Sequence, residues 1–182
     1  MRPFPTRSLL LRAAVALLLP ALGALSAQAP PKAKPGREAI ISAARAMMTS
    51  HRYCALITMD KAGLPVVRTM NPLAPDPDMT IWFATHDQSR KAQQLLKDPR
   101  VVVYYSDHMK AEGYVALRGR ATLVSDPAEI QKRKRAYWDQ AFPGLKHLVL
   151  IKIVPERMEV LSYKDQLVVD QATGETPAVE FP

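Results

Sequence analysis

Between residues 53 and 161 the chain carries about six apolar runs of strand length. They are joined by turns and short helices, with no regular strand–helix–strand alternation. That order constrains the fold more than any other feature, because parallel sheets need a long crossover after each strand. Residues 53–59 and Pro65–Met70 flank the turn Asp60-Lys61-Ala62-Gly63 and read as a hairpin. A proline-rich loop, 71–78, leads to a third strand at 79–85. Residues 101–105 form an unbroken apolar run, expected to be buried on both faces. Gly113–Val124 alternates, with Val115, Leu117, Ala121 and Leu123 on one face and Tyr114, Arg118, Arg120 and Thr122 on the other. Gly119 interrupts that strand where a bulge or a close backbone approach is expected. The last long strand is expected at 148–161. Helical patterns cover Arg37–Ser50, 88–97 and 127–138, with Asp87 and Asp126 as the N-caps of the second and third. The expected class is mostly β with helical insertions (α+β), predominantly antiparallel and closed towards a barrel.

The ends of the chain are read separately. Arg2, Arg7 and Arg12 precede an apolar run at 13–25, and small residues follow at Ser26, Ala27 and Ala29. This is the order of a secretory signal peptide. The run is shorter than the roughly 20 residues of a membrane span, and Pro20 and Gly23 interrupt it. A periplasmic or secreted protein is therefore expected, with no stable membrane anchor after cleavage. Residues 1–29 are assigned to the signal, 30–35 to an extended linker, 36–163 to the folded domain and 164–182 to a polar tail with a short strand near 167–169. The formal charge of +8 falls to +5 once the three arginines of the signal are removed.

Composition excludes several chemistries. A lone cysteine, Cys54, allows neither an internal disulfide nor a cysteine metal cluster. Histidines 51, 86, 108 and 147 share no ligand-like spacing, so no metal site is expected. The seven glycines form no GxGxxG or P-loop run. The densest basic run, 131–135, lacks interleaved aromatics and reads as a solvated helix face, so no nucleic-acid partner is expected.

The segment Thr85-His86-Asp87-Gln88-Ser89-Arg90-Lys91 is the sharpest local signal. It places two cations in the first turn of a helix, against the helix dipole. A solvated turn with incidental basic residues accounts for this, and so does an anion held by the helix start, the hydroxyls of Thr85 and Ser89, and the two cations.

Phe83-Ala84-Thr85 followed by Ser89-Arg90-Lys91-Ala92 resembles the phosphate-binding segment of the pyridoxamine 5'-phosphate oxidase-like family of FMN-binding split barrels. Val67-Arg68-Thr69-Met70 resembles its flavin-contacting strand in the general stress protein branch. Asp98-Pro99-Arg100-Val101, Gly113-Tyr114-Val115, Arg118-Gly119-Arg120-Ala121 and Ala141-Phe142-Pro143-Gly144 follow in the family's order. The resemblance covers about 36–163 and implies a homodimeric split β-barrel with FMN at the subunit interface. It implies that Arg68 holds flavin phosphate or ring oxygens, that backbone groups of Thr69 and Met70 face the ring edge, that Ala84 and Thr85 line the flavin, and that Ser89, Arg90 and Lys91 hold the phosphate. Tyr114 stands where many relatives carry a glutamine. Leu73 stands near the lysine of true pyridoxamine-phosphate oxidases, and Leu161-Ser162-Tyr163-Lys164-Asp165 lacks their arginine–histidine pair. The implied activity is an FMN-dependent oxidoreductase other than vitamin B6 oxidation. The alternative is a non-catalytic binder of flavin or of another planar cofactor such as haem or a deazaflavin.

Overall fold

A computed structural model describes residues 34–182. The expected signal, 1–29, and residues 30–33 of the expected linker lie outside the described residues. The elements run α1 (Arg37–Ser50), β1 (Cys54–Met59), β2 (Pro65–Met70), β3 (Ile81–His86), α2 (Arg90–Lys97), β4 (Arg100–Ser106), β5 (Gly113–Val124), α3 (Pro127–Arg133), α4 (Trp138–Ala141), β6 (Leu148–Ser162) and β7 (Ala178–Glu180). All strand pairs are antiparallel, in the order β2-β1-β4-β5-β6-β3, with β7 added on β6. The expected class, mostly β with helical insertions in a predominantly antiparallel split-barrel arrangement, is the one observed.

Turn chemistry sets the first hairpin. Asp60 Oδ1 accepts from the N–H groups of Ala62 at 2.8 Å and Leu64 at 2.9 Å, and Gly63 takes φ 77°. That fixes the register Met59↔Pro65 through Cys54↔Met70. The glycine signal in β5 is also physical. A Cβ on Gly119 would collide with the carbonyl oxygen of Val154. The β5–β6 register shifts at this point, where Glu156 is the extra residue on β6.

Alternation then sorts the side chains into two cores. Ile81 and Phe83 of β3, with Ile151 and Ile153 of β6, enter the main core under α1. Trp82 of β3 and Leu148 and Leu150 of β6 face the other way, against Ile130 of α3 and Trp138 of α4. Both faces of this β3–β6 corner are therefore covered within one chain. The apolar start of β6 needs no second subunit to bury it. β4 departs from expectation too. Val101, Val103 and Tyr105 are buried, whereas Val102 and Tyr104 are only half-buried, so the run is one-sided in a single chain.

The helix at 127–138 is interrupted. Asp126 caps it and Pro127 opens it as expected, but α3 ends at Arg133, Lys134 is extended, and α4 starts at Trp138. The break lets Arg135 turn back to donate to Asn71 Oδ1 at 2.9 Å and to the Pro72 carbonyl at 2.5 Å. Residues 164–182 are more than a polar tail. Leu167 and Val179 join the main core, Ser162 bridges Leu167, and β7 pairs with 157–159 of β6. Arg37 of α1 donates to the Glu180 carbonyl at 2.6 Å and lies over the Phe181 ring, so the C-terminal segment is tied to the first helix.

Candidate functional site

The site begins where β3 leaves the sheet. Strand alternation buries Thr85 and exposes His86. The helix that follows is capped by Ser89, whose Oγ accepts from Ala92 N–H at 3.3 Å. The sequence expectation of Asp87 as N-cap is thus corrected. The turn after β3 takes three more residues before helical geometry starts, and Asp87 N–H instead bonds the His147 carbonyl at 2.9 Å. Thr85 Oγ1 and Ser89 Oγ lie 3.1 Å apart, so the two predicted hydroxyls are adjacent. Arg90 and Lys91 remain in the first turn, where the backbone N–H groups have no intrahelical acceptor.

Arg68 arrives from β2. Its Nη1 donates to Thr58 Oγ1 at 2.7 Å and its Nη2 to Gln94 Oε1 at 2.9 Å, while Thr58 Oγ1 itself donates to Gln94 Oε1 at 2.8 Å. Thr58 on β1 and Gln94 on α2 therefore aim the guanidinium, and the sequence reading missed both. Thr58 is fully buried in an otherwise apolar strand, and Gln94 is one helical turn after Arg90. These were the available signals.

The three cations act on one another. Burial lowers the Arg68 pKa, and the charge of Arg90 lowers it further. Burial likewise lowers that of Lys91, with Arg68 adding to the effect. Among the described residues, no carboxylate forms an ion pair with Arg68, Arg90 or Lys91. Three convergent cations beside two hydroxyls and a helix start suit a multiply charged anion. Arg90 and Gln94 also line a groove of about 320 Å³ with Met59, Val66 and Gln93, whose rim carries both acids, Asp60 and Asp98, and bases, Lys61 and Lys97. A larger groove, about 480 Å³, opens elsewhere by Arg100, Arg118 and Arg157. There Arg100 pairs with Asp98 and Arg157 with Glu159 and Glu180, so much of its charge is already neutralised.

The remaining predicted residues are placed less closely. Thr69 is exposed on β2, Met70 packs against the main core, and Ala84 packs against the second core. No side-chain hydrogen bond among the described residues ties them to the cations. Tyr114 Oη lies 3.1 Å from Thr176 Oγ1, and its ring sits 5.6 Å from that of Tyr104, so the C-terminal segment holds it. Cys54 is buried, which pushes its thiol up to about 12 against a smaller lowering by Tyr105 and disfavours the nucleophilic thiolate.

The sequence profile of the pyridoxamine 5'-phosphate oxidase family matches residues 40–162, more than half of the chain. The protein belongs to this family. A Clostridium acetobutylicum protein related to general stress protein 26 shares the fold with TM-score 0.62 and 17% identity, over 71% of this chain and 92% of that one. A pyridoxamine 5'-phosphate oxidase-related, FMN-binding protein from Nostoc punctiforme matches with TM-score 0.55 and 19% identity, over 81% and 97%. A haem-binding protein from Mycobacterium smegmatis matches with TM-score 0.59 and 15% identity, over 81% of this chain and 59% of that one. At these identities the neighbours show the shared fold, and they differ in what their names say they bind. Among curated proteins, none matches the sequence significantly. No helix among the described residues is long and apolar enough to cross a membrane.

Proposed function

We propose that this member of the pyridoxamine 5'-phosphate oxidase family is an exported, homodimeric FMN-dependent oxidoreductase. The observation that carries the reading is the group Arg68, Arg90 and Lys91, mutually repelling and without an ion-pair partner among the described residues, with the adjacent hydroxyls of Thr85 and Ser89. These residues fit the phosphate of FMN in charge and donor set. Arg90, Lys91 and the first-turn N–H groups would hold that phosphate. Arg68, braced by Thr58 and Gln94, would orient the cofactor's polar edge. FMN supplies hydride or electron transfer at its ring when bound. Dimerisation fits the exposed Leu64 and Val67 on the β1–β2 hairpin, an uncovered sheet edge of the kind a second copy covers. Pyridoxamine phosphate is not the proposed substrate, because Leu73 packs against the second core where true oxidases carry a lysine.

The test is a comparison of FMN with riboflavin, which shares the ring and lacks the phosphate. Charge-assisted hydrogen bonds are worth roughly 1.5–3 kcal/mol each. After allowance for solvent, FMN should bind at least about tenfold tighter. Equal affinities would place the anion site elsewhere.

A second reading, a non-catalytic haem binder, is favoured by the Mycobacterium smegmatis neighbour and by the exposed, stacked His86 and His147. The visible spectrum of protein purified from its native compartment separates the two: flavin bands support the first and a Soret band the second.

A further inference from the structure

His86, Asp87 and His147 are not used by the flavin reading. They lie far apart in sequence, yet the β3–β6 ladder brings them together. His86 pairs with Leu148, and one residue further the Asp87 N–H bonds the His147 carbonyl at 2.9 Å. The carboxylate of Asp87 sits between the two rings. Its Oδ1 is 3.2 Å from His86 Nδ1 and its Oδ2 is 3.2 Å from His147 Nδ1. The imidazoles stack, with centroids 4.9 Å apart and planes 19° from parallel. One ligand atom from each residue lies within 4.8 Å of the others.

We infer that His86, Asp87 and His147 form a binding site for a divalent transition-metal ion of the zinc class. Ligands at the usual 2.0–2.2 Å from zinc stand about 3.3–3.6 Å from one another in a tetrahedral shell; each imidazole is already 3.2 Å from one of the two Asp87 oxygens, and the wider spread of the cluster, up to 4.8 Å, would close by rotation of these exposed side chains on binding. Two imidazoles and one carboxylate are a recurrent zinc donor set that leaves a coordination position open. Two further observations point the same way. Asp87 Oδ1 is shielded from solvent and makes no hydrogen bond, its polar neighbour being the His86 Nδ1 of the cluster itself at 3.2 Å. His147 adopts φ 59°, a left-handed conformation uncommon for a residue with a side chain, and its Nδ1 lies within hydrogen-bond distance of Asp87 Oδ2. The side chains are 46%, 40% and 52% exposed for His86, Asp87 and His147, so an ion can enter and keep water in its remaining positions. The Gln88 N–H bond to His86 Nδ1, 3.2 Å long, would yield to the metal or leave Nε2 as the ligand. The site is separate from the anion group, because Thr85 and His86 project to opposite faces of β3.

Calorimetric titration of the purified, metal-stripped protein with zinc chloride tests this. One ion per chain should bind, with a dissociation constant on the order of micromolar. Groups that merely support a ligand cost about 10–100-fold when lost. His86→Ala, Asp87→Asn and His147→Ala should therefore each weaken zinc by at least about 100-fold. His147→Gly, which suits the left-handed backbone, should do the same and guards against misfolding of the alanine variant. His51→Ala and His108→Ala should leave the affinity unchanged. Cobalt(II) in place of zinc should give visible d–d bands that vanish in His147→Gly. Zinc binding that survives His86→Ala and His147→Gly, that follows His51 or His108, or that is absent from the wild type, would overturn the assignment.

Discussion

Two arginine-rich corners of this protein have opposite electrostatic fates. At the second core, Arg133 has a side chain only 12% exposed and is fully engaged. It bonds Asp76 Oδ2 at 2.9 Å and Glu129 Oε2 at 3.1 Å, and its guanidinium lies 3.8 Å over the Trp82 ring. Trp82 Nε1 in turn donates to Asp76 at 2.7 Å. At the start of α2, Arg68, Arg90 and Lys91 repel one another, and none of them forms an ion pair with a carboxylate among the described residues. The denser cluster in sequence, 131–135, is thus the structural one, and the sparser group is left available for a ligand. Charge density along a chain says little about binding. What matters is whether the fold brings acids to meet the bases.

The comparison is broken most severely at Arg133. Arg133→Ala should destabilise the fold by about 2–3 kcal/mol. This is less than the 3–5 kcal/mol of a fully buried broken pair, because Asp76 is 30% exposed and keeps its Trp82 bond. Urea unfolding measures the loss, and FMN affinity, corrected for the folded fraction, should not change. A loss below about 0.5 kcal/mol, the range of ordinary surface substitutions, would reduce this corner to a solvated face.

The mirror experiment is Arg90→Ala with Lys91→Ala. Stability should stay within about 0.5 kcal/mol or rise slightly, since two first-turn cations oppose the helix dipole. FMN should weaken by about 2 kcal/mol or more, roughly thirtyfold, while riboflavin is unaffected. If both flavins lose affinity equally in a folded double variant, the cations do not hold phosphate.

These outcomes also mark what could be read from the sequence. The hairpin, the alternation of β5, the Gly119 irregularity and the Asp126 cap were legible because local chemistry causes them. Turn acceptors, period-two burial and a missing Cβ act within a few residues. The cations at 90 and 91 were legible for the same reason, because their conflict with the helix dipole is local. The Asp87 cap was misread because Asp87 and Ser89 are both good caps, and it is the distant His147 carbonyl that engages Asp87. The hairpin register that brings Thr58 to Arg68 is local, but Gln94 as the second brace of Arg68, Asp76 as the partner of Arg133, and the meeting of His86 with His147 depend on how segments 26 to 61 residues apart pack together. No local pattern encodes that packing. The short apolar run at 167–169 was legible, and Leu167 does bridge Ser162, but the docking of the rest of the segment was not, because Ala178–Glu180 is too short to signal a strand and its pairing with β6 is set by distant residues.

Acid sharpens the contrast by a smaller amount. Burial alone would raise the Asp76 carboxyl, but hydrogen bonds from Arg133 and Trp82 and the charges of Arg133 and Lys132 outweigh it and hold it below the usual range. A carboxyl depressed in the folded state adds stability above its unfolded pKa, about 3.9, and loses it as pH falls through the folded value. The stability gap between wild type and Arg133→Ala should therefore be constant from neutral pH to about 4 and shrink below it. A gap that stays constant down to pH 2 would mean that packing on Trp82, not the ion pair, carries the corner.

The smallest effect is read at one ammonium group. Lys91 is held below its ordinary value of about 10.4 by burial first and by Arg68 second. For a base depressed in the folded state, the unfolded chain binds the proton that the native chain has already lost. Stability at this site should therefore rise with pH between the depressed value and about 10.4. A phosphate dianion beside Lys91 reverses the cause, because an opposite charge favours the protonated form. Carbon-detected NMR of the lysine side chains, with Lys91 assigned through Lys91→Arg, should show an early titration in the free protein and a later one once FMN is added. Riboflavin should leave it early. Arg68→Ala should move the free-protein titration upward, since one of its two causes is gone. An ordinary titration in the free protein, or the same upward shift with riboflavin as with FMN, would show that the α2 cations are solvated after all and that the two corners differ less than their pairing suggests.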